Sequence, residues 1–414
     1  MPKTSRTRSA RAVANDSAIR DAAIDELMRV GVDHLSLRDV SHRAGLTHGA
    51  TYARYEDFGE LLVDLWISRL GERINTLFDL CLNAAKSPGA ESVAALFTHV
   101  KNAGPNDVAA IQLLMTARRL PTLLEEVEIF IKGSLEAEDT KSPDASPEFT
   151  RALMLFAMMV AEIFADAYLG RDEEYQSIVE GVLLEVLETD PRTVPVRPFT
   201  ETLIHDTAPT SNDLRSQLAW ATFLVVGRSG YTRATISRIA RRANCSPGAI
   251  YKLHDSKEDL VATSFRELMR ARWMRASNFV RVLEEDAISK MLYRATSPEH
   301  SVRRAFTTEF ALAAPYNELL LNAIQDQTSG LAKVVNSLEN ASDDEKKRVN
   351  HLIRAMTYLT VGASMLATVS TNTQCANFAQ FAEPFRLAIL KGCLPTWNEL
   401  RSQIADAAQS AGVR

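Results

Sequence analysis

The stretch LSLRDVSHRAGLTHGATYARYEDFGELL, residues 35–62, decides the reading of this chain, because ATISRIARRANCSPGAIYKLHDSKEDLV at 234–261 repeats it without a gap. Identities fall at Arg43/Arg242, Ala44/Ala243, Gly49/Gly248, Ala50/Ala249, Tyr52/Tyr251 and Leu61/Leu260. Conservative pairs fill in at Ser36/Thr235, Leu37/Ile236, Val40/Ile239, Thr47/Ser246 and Leu62/Val261. Each copy reads as a short helix, a tight turn, a second short helix and the start of a long one. That is the plan of a helix-turn-helix, which sets one helix into a DNA groove while its partner crosses the backbone. An internal repeat of this kind settles the architecture before local detail does.

Working outward, Ser36 with Asp39 forms a capping-box-like start, and Thr235 keeps the cap while Arg238 replaces the acid. The turn holds Gly45 in one copy and Asn244 in the other, the residues that adopt a left-handed conformation most cheaply. Thr47 and Ser246 open the second short helix. Thr51 with Tyr55, and Ile250 with His254, are spaced i, i+4 and are expected to face inward. His48, Gly49, Tyr52 and Ala53 then face out, as do Pro247, Gly248, Tyr251 and Lys252. Gly49 and Gly248 remove a side chain where the helix would lie closest to a phosphate backbone. Asp57 with Glu60, and Ser256 with Asp259, mark the start of the long helix. Upstream, apolar residues at helical spacing predict an amphipathic helix over Asp16–Val30, ended by Gly31 in a left-handed cap. Leu214, Leu218, Ala221, Phe223, Val225 and Val226 repeat it before Gly230.

A hydroxyl residue, then Gly, a small residue, any residue and Tyr, followed by an aromatic and an Asp- or Ser-led long helix, resembles the DNA-binding domain of the TetR family of transcriptional regulators. The resemblance covers about 19–70 and 218–269. It implies an all-helical ligand-binding domain of about six helices behind each helix-turn-helix, with the last two helices of each forming a four-helix dimer interface. Both copies depart from the family pattern. Tyr55 and His254 stand where Phe is usual, and Phe58 replaces the Lys that the second copy keeps as Lys257.

The remaining features bound the reading. A chain of 414 residues is too long for one core. Its 46% hydrophobic and 24% charged residues are those of an ordinary globular protein. A net charge of −5 means that any basic surface is local. Cys81, Cys245, Cys375 and Cys393 lack metal-ligand spacing and read as thiols of a reducing cytoplasm. The apolar run at 152–161 is broken by Glu162 and Asp166 and is too short for a bilayer. No Gly-rich phosphate loop, HExxH or nucleophile elbow occurs, so an enzyme, a metal site or a cofactor is not expected. Met154, Met158 and Met159 fill a core or line a pocket for a greasy effector.

The expected organisation is all-α: two TetR-like halves, each a helix-turn-helix domain plus a helical ligand-binding domain, forming a pseudo-dimer within one chain. A basic arm spans 1–15, with Lys3, Arg6, Arg8 and Arg11 and no acid. The first helix-turn-helix domain spans 16–62 and the first helical domain 63–189. A Pro-rich linker covers 190–211. The second helix-turn-helix domain spans 212–261 and the second helical domain 262–414. Helices are expected near 57–84, 91–101, 107–118, 121–137, 149–169 and 172–187. In the second half they are expected near 256–283, 299–313, 315–337, 345–371 and 377–391, with a tail helix after Pro395.

The candidate DNA-contacting residues are Ser36, Thr47, His48, Gly49, Tyr52 and Arg54 in the first copy. In the second they are Thr235, Ser246, Pro247, Gly248, Tyr251, Lys252 and Lys257. Arg228, Arg233, Arg238, Arg241 and Arg242 make the second copy the more basic, hence the stronger candidate for phosphate binding. The function expected is a repressor that binds a double-stranded DNA operator and is released by a mostly apolar small molecule. The rival is a helical ligand-binding or protein-interaction module with vestigial helix-turn-helix units.

Overall fold

Helix starts and stops follow from local chemistry in both halves. The computed structural model describes residues 10–139, 146–194, 213–274, 286–375, 377–391, 393, 395–400 and 402–403. The first helix, α1 (Ala10–Val30), stops where Gly31 takes φ 76°. It begins within the expected basic arm, so residues 10–15 are helical; residues 1–9 lie outside the described residues. Ser36 accepts from the Asp39 amide at 3.2 Å to open α2 (Leu37–Arg43), and Thr47 accepts from the Ala50 amide at 3.3 Å to open α3 (His48–Tyr52). The Asp39 carboxylate takes the Ser36 hydroxyl at 2.5 Å, so the box closes on a side chain. Asp57 caps α4 (Phe58–Leu65), which runs through a π turn at Trp66–Leu70 into α5 (Gly71–Lys86). The long helix expected over 57–84 is therefore one rod with a bulge in it.

The first half continues with α6 (Ala90–Lys101), α7 (Pro105–Thr116), a 3-10 turn at Ala117–Arg119, α8 (Pro121–Phe130) and a second π turn at Ile131–Leu135. It ends with α9 (Pro147–Leu169) and α10 (Glu173–Glu188). Of the expected linker, Pro191–Thr193 makes a 3-10 turn and residues 195–211 lie outside the described residues.

In the second half Asp213 caps α11 (Leu214–Ser229), which stops at Gly230 with φ 81°. Thr235 caps α12 (Ile236–Arg242) and Ser246 caps α13 (Pro247–Tyr251). Then come α14 (Lys257–Met274), α15 (Ala287–Thr296), α16 (Ser301–Ala313) and a 3-10 turn at Ala314–Tyr316. They are followed by α17 (Glu318–Asn336), α18 (Asp343–Leu366), the short α19 (Asn372–Cys375) and α20 (Ala379–Leu390). Residues 395–400 are helical. No strand occurs among the described residues, and the fold is all-helical. Two expectations need correcting. The α15 helix is not anticipated, and the helix expected to reach 371 turns at Ala367 because Thr368, Val369 and Ser370 close back on its last carbonyls.

The body forms where α9 packs along α18, with α10 against α18 and α20. Gly362 of α18 sits so close to α9 that an added Cβ would overlap the Ala157 carbonyl. The α9 helix has the length and mean hydropathy of a membrane span, 1.8 over its most apolar window, yet 78% of that window is buried within the protein. Its methionines Met154, Met158 and Met159 are fully buried in the core that joins α5, α9 and α18. Arg151, fully enclosed, donates to the carbonyls of Leu187, Thr189 and Gln380, so it satisfies the open end of α10 and ties it to α20. Glu162 is buried beside Asp166, and burial raises its carboxyl to about 7.

Candidate DNA-reading units

Both repeats fold as helix-turn-helix units on matching backbones. Gly45 and Asn244 occupy the left-handed region, at φ 66° and 53°. The turn closes with the same bond in each, Leu46 N–H to the Ser41 carbonyl and Cys245 N–H to the Ala240 carbonyl, both at 3.0 Å. Thr51, Tyr55, Ile250 and His254 all point into the core. His48, Gly49, Tyr52 and Ala53 are exposed on one unit, and Pro247, Gly248, Tyr251 and Lys252 on the other. Tyr52 and Tyr251 remain 48% and 57% exposed, although large aromatics are usually covered.

The candidate residues divide by what holds them. Ser36, Thr47, Thr235 and Ser246 are helix caps, which places their hydroxyls beside free amides at helix N-termini. Arg54 is not free. Its Nε donates to Asp16 at 3.0 Å and its other end lies 3.8 Å from Asp64. Lys257 turns inward. Its ammonium lies 4.0 Å from the centre of the Tyr231 ring and 3.4 Å from the Tyr231 carbonyl, and burial lowers its pKa.

Charge separates the two units. In the first, Arg20 grips Asp64 with two bonds of 2.8 and 2.9 Å, and the Tyr55 hydroxyl donates to the same carboxylate at 2.5 Å. Burial works to raise the Asp64 pKa, but the hydrogen bonds from Arg20 and Tyr55 outweigh it and hold it below the usual range. Arg29 and Arg43 both bond Glu26. In the second unit Arg228, Arg233, Arg238, Arg241, Arg242 and Lys252 are exposed, and none forms an ion pair among the described residues. His254, at the position of Tyr55, pairs through Nδ1 with Asp259, at 3.2 Å. The sequence makes the second unit the more basic; the ion pairs of Arg20, Arg29, Arg43 and Arg54, which leave Arg38 exposed, widen that difference.

The units meet at a junction. His34 Nε2 lies 3.3 Å from the Thr232 hydroxyl. Beside it is a cavity of ≈ 170 Å³ walled by Asp33, Arg119, Lys257, Glu258, Glu309 and Tyr316, among others. Its charged wall differs from the apolar pocket expected of the helical domains.

Comparison with known proteins bears on the second unit. Residues 221–263 match the model for bacterial regulatory proteins of the tetR family. Over 77 residues the chain is 30% identical to the HTH-type transcriptional regulator BetI of Paraburkholderia xenovorans (strain LB400), which covers 19% of this chain and 40% of that regulator. The chain therefore spans less than half of the curated relative it matches. Residues 221–263 thus resemble a domain of bacterial regulatory proteins of the tetR family.

Proposed function

We propose that the chain is a tandem regulator in which one polypeptide supplies both DNA-reading units, and that the second unit contributes most of the phosphate binding. The observation that carries this reading is the exposed, unpaired cation set on the second helix-turn-helix, next to the outward Tyr251 and Lys252. Such a set releases counterions on contact with a duplex and gives affinity, while residues on α13 read base edges. The packing of α9 and α10 on α18 and α20 supports a pseudo-dimer, with one chain acting as both partners. Two reading helices enter successive major grooves only when held about one helical turn apart. An effector that binds better to another spacing would release the DNA by population shift. On this reading the protein is a cytoplasmic repressor, carries no catalytic activity and answers to a mostly apolar small molecule.

A specific observation also favours a partial form of the rival reading. With Arg20, Arg29, Arg43 and Arg54 in ion pairs, the first unit keeps the exposed Arg38 for phosphates, against five exposed arginines and Lys252 in the second. It would then act as a weak reader that gains from being tethered to the strong one.

The test is a pull-down of genomic fragments with the purified full chain, followed by footprinting and light scattering. The expected result is enrichment of a discrete site bound by one chain. Recovery of bulk DNA only, or of none, would support the interaction-module reading instead.

A further inference from the structure

We propose that Arg119 and Tyr316 are reciprocal positioning residues that cross from one half to the other and fix the spacing of the two DNA-reading units. Each ends a three-residue 3-10 turn, the first after α7 and the second after α16. Each closes over the glycine that ends the leading helix of the opposite unit. Tyr316 lies on Gly31, where an added Cβ would fall 2.7 Å from its ring, and Arg119 lies on Gly230, where an added Cβ would collide with its guanidinium.

Polar bonds hold both crossings. The Tyr316 hydroxyl donates to the Leu27 carbonyl at 3.1 Å, accepts from Gln112 Nε2 at 2.9 Å and lies 2.7 Å from the Tyr168 hydroxyl. Arg119, which is 7% exposed, bonds Asp33 of the first unit at 2.7 Å and Glu309 of the second half at 3.0 Å. Its neighbour Arg118 bonds the same Glu309 and donates to the Gly227 carbonyl of α11 at 3.0 Å. Burial raises the Glu309 pKa, and the two guanidiniums oppose that shift. A buried carboxylate shared by two arginines resists separation, because parting them leaves an unpaired buried charge. The last turns of α1 and α11 are thus anchored to the body of the opposite half. A movement in either body would shift the other half's reading unit as well as its own.

This inference rests on the reading that both units face DNA, but its test needs no DNA. Spin labels at Ala53→Cys and Lys252→Cys, in a full chain carrying Cys245→Ser and Cys375→Ser, report the distance between units. A single narrow distribution is expected for this parent. Asp33→Asn cuts the bond that joins the first unit to Arg119, the residue that crosses to Glu309, and Tyr316→Phe cuts the Leu27 tie while keeping the ring on Gly31. Each is expected to broaden the distribution, and Gly31→Ala to displace it by pushing Tyr316 away. Helical circular dichroism checks that every variant is folded. Folded Asp33→Asn and Tyr316→Phe proteins with the parent's mean and width would overturn the proposal. A chain that binds no operator yet shows the broadening would retain the latch and lose the DNA reading.

Discussion

The two helix-turn-helix units share a backbone and differ in what their arginines do. In the first, Arg20, Arg29, Arg43 and Arg54 each meet a carboxylate on α1 or α4, and Arg38 stays exposed. In the second, the exposed Arg228, Arg238, Arg241 and Arg242 of α11 and α12 meet no carboxylate among the described residues, and Arg238 donates to the Arg233 carbonyl. The cores differ as well. The first unit's core, from Ile19 to Leu65, runs without interruption into the body, whereas Leu218, Ile239, Ile250 and Leu260 of the second form a separate small cluster. A repeat conserves what a fold needs, namely caps, a left-handed turn residue and inward-facing pairs. The charge pattern is free to diverge, and it can turn one copy from a phosphate binder into a scaffold element.

The largest effect is expected from loosening the body that both units share. In Gly362→Ala the added methyl group has no room against the Ala157 carbonyl, so α9 and α18 must separate. A loss of about 3 kcal/mol or more in unfolding free energy is expected from such overpacking, read by urea denaturation. Both units would then lose their fixed separation, and the contrast between them would be measured on uncoupled heads.

The next test sharpens the contrast directly. Arg241→Ala combined with Arg242→Ala is expected to weaken DNA binding by about tenfold to a hundredfold and to lower the salt slope by about 2. Arg43→Ala in the first unit is expected to leave the slope unchanged and to reduce stability, because it removes a partner of buried Glu26. Fluorescence anisotropy across a salt series, with thermal melts alongside, separates these outcomes. Equal slope changes for the two units would contradict the assignment.

How much of this contrast was legible in the sequence depends on the range of the interaction. Caps at Ser36, Thr47, Thr235 and Ser246, and the left-handed Gly45 and Asn244, are local and can be read from a few neighbouring residues. The outward face of α3 and α13 follows from helical spacing alone. The α15 helix was also within reach, since Ile288, Leu292 and Ala295 make an apolar stripe at helical spacing and all are buried. By contrast Arg54 meets Asp16, and Arg20 meets Asp64, across long sequence separations that no periodic pattern encodes. The inward turn of Lys257 onto Tyr231 is of the same kind, as are the crossings of Arg119 and Tyr316.

Acid distinguishes the first unit from the body by sign. Asp64 has a lowered pKa in the fold, so its contribution is present above the ordinary carboxylate range and is lost as pH falls through its folded value. Glu162 in the body has a raised pKa, so the folded state binds the proton more tightly than the unfolded chain does. Its contribution is fullest in acid and is lost as pH rises from 4.5 to about 7. Hydrogen exchange against pH is expected to show α1 and α4 losing protection on acidification, an effect abolished in Asp64→Asn. Glu162→Gln is expected to flatten the loss of stability between those two pH values. A protein whose α1 is as well protected in acid as at neutrality would break this part of the account.

The central claim is that one chain reads DNA with two unequal units, and selection of bound sequences from a random pool tests it most directly. The account predicts an asymmetric site, because His48 offers a donor or acceptor where Pro247 offers only apolar contact, and Ala53 stands opposite Lys252. Lys252→Ala is expected to relax preference in one half-site only, at a cost on the order of 1–3 kcal/mol if it reads a base. Recovery of a perfect inverted repeat, with both half-sites equally sensitive to Lys252→Ala, would contradict it.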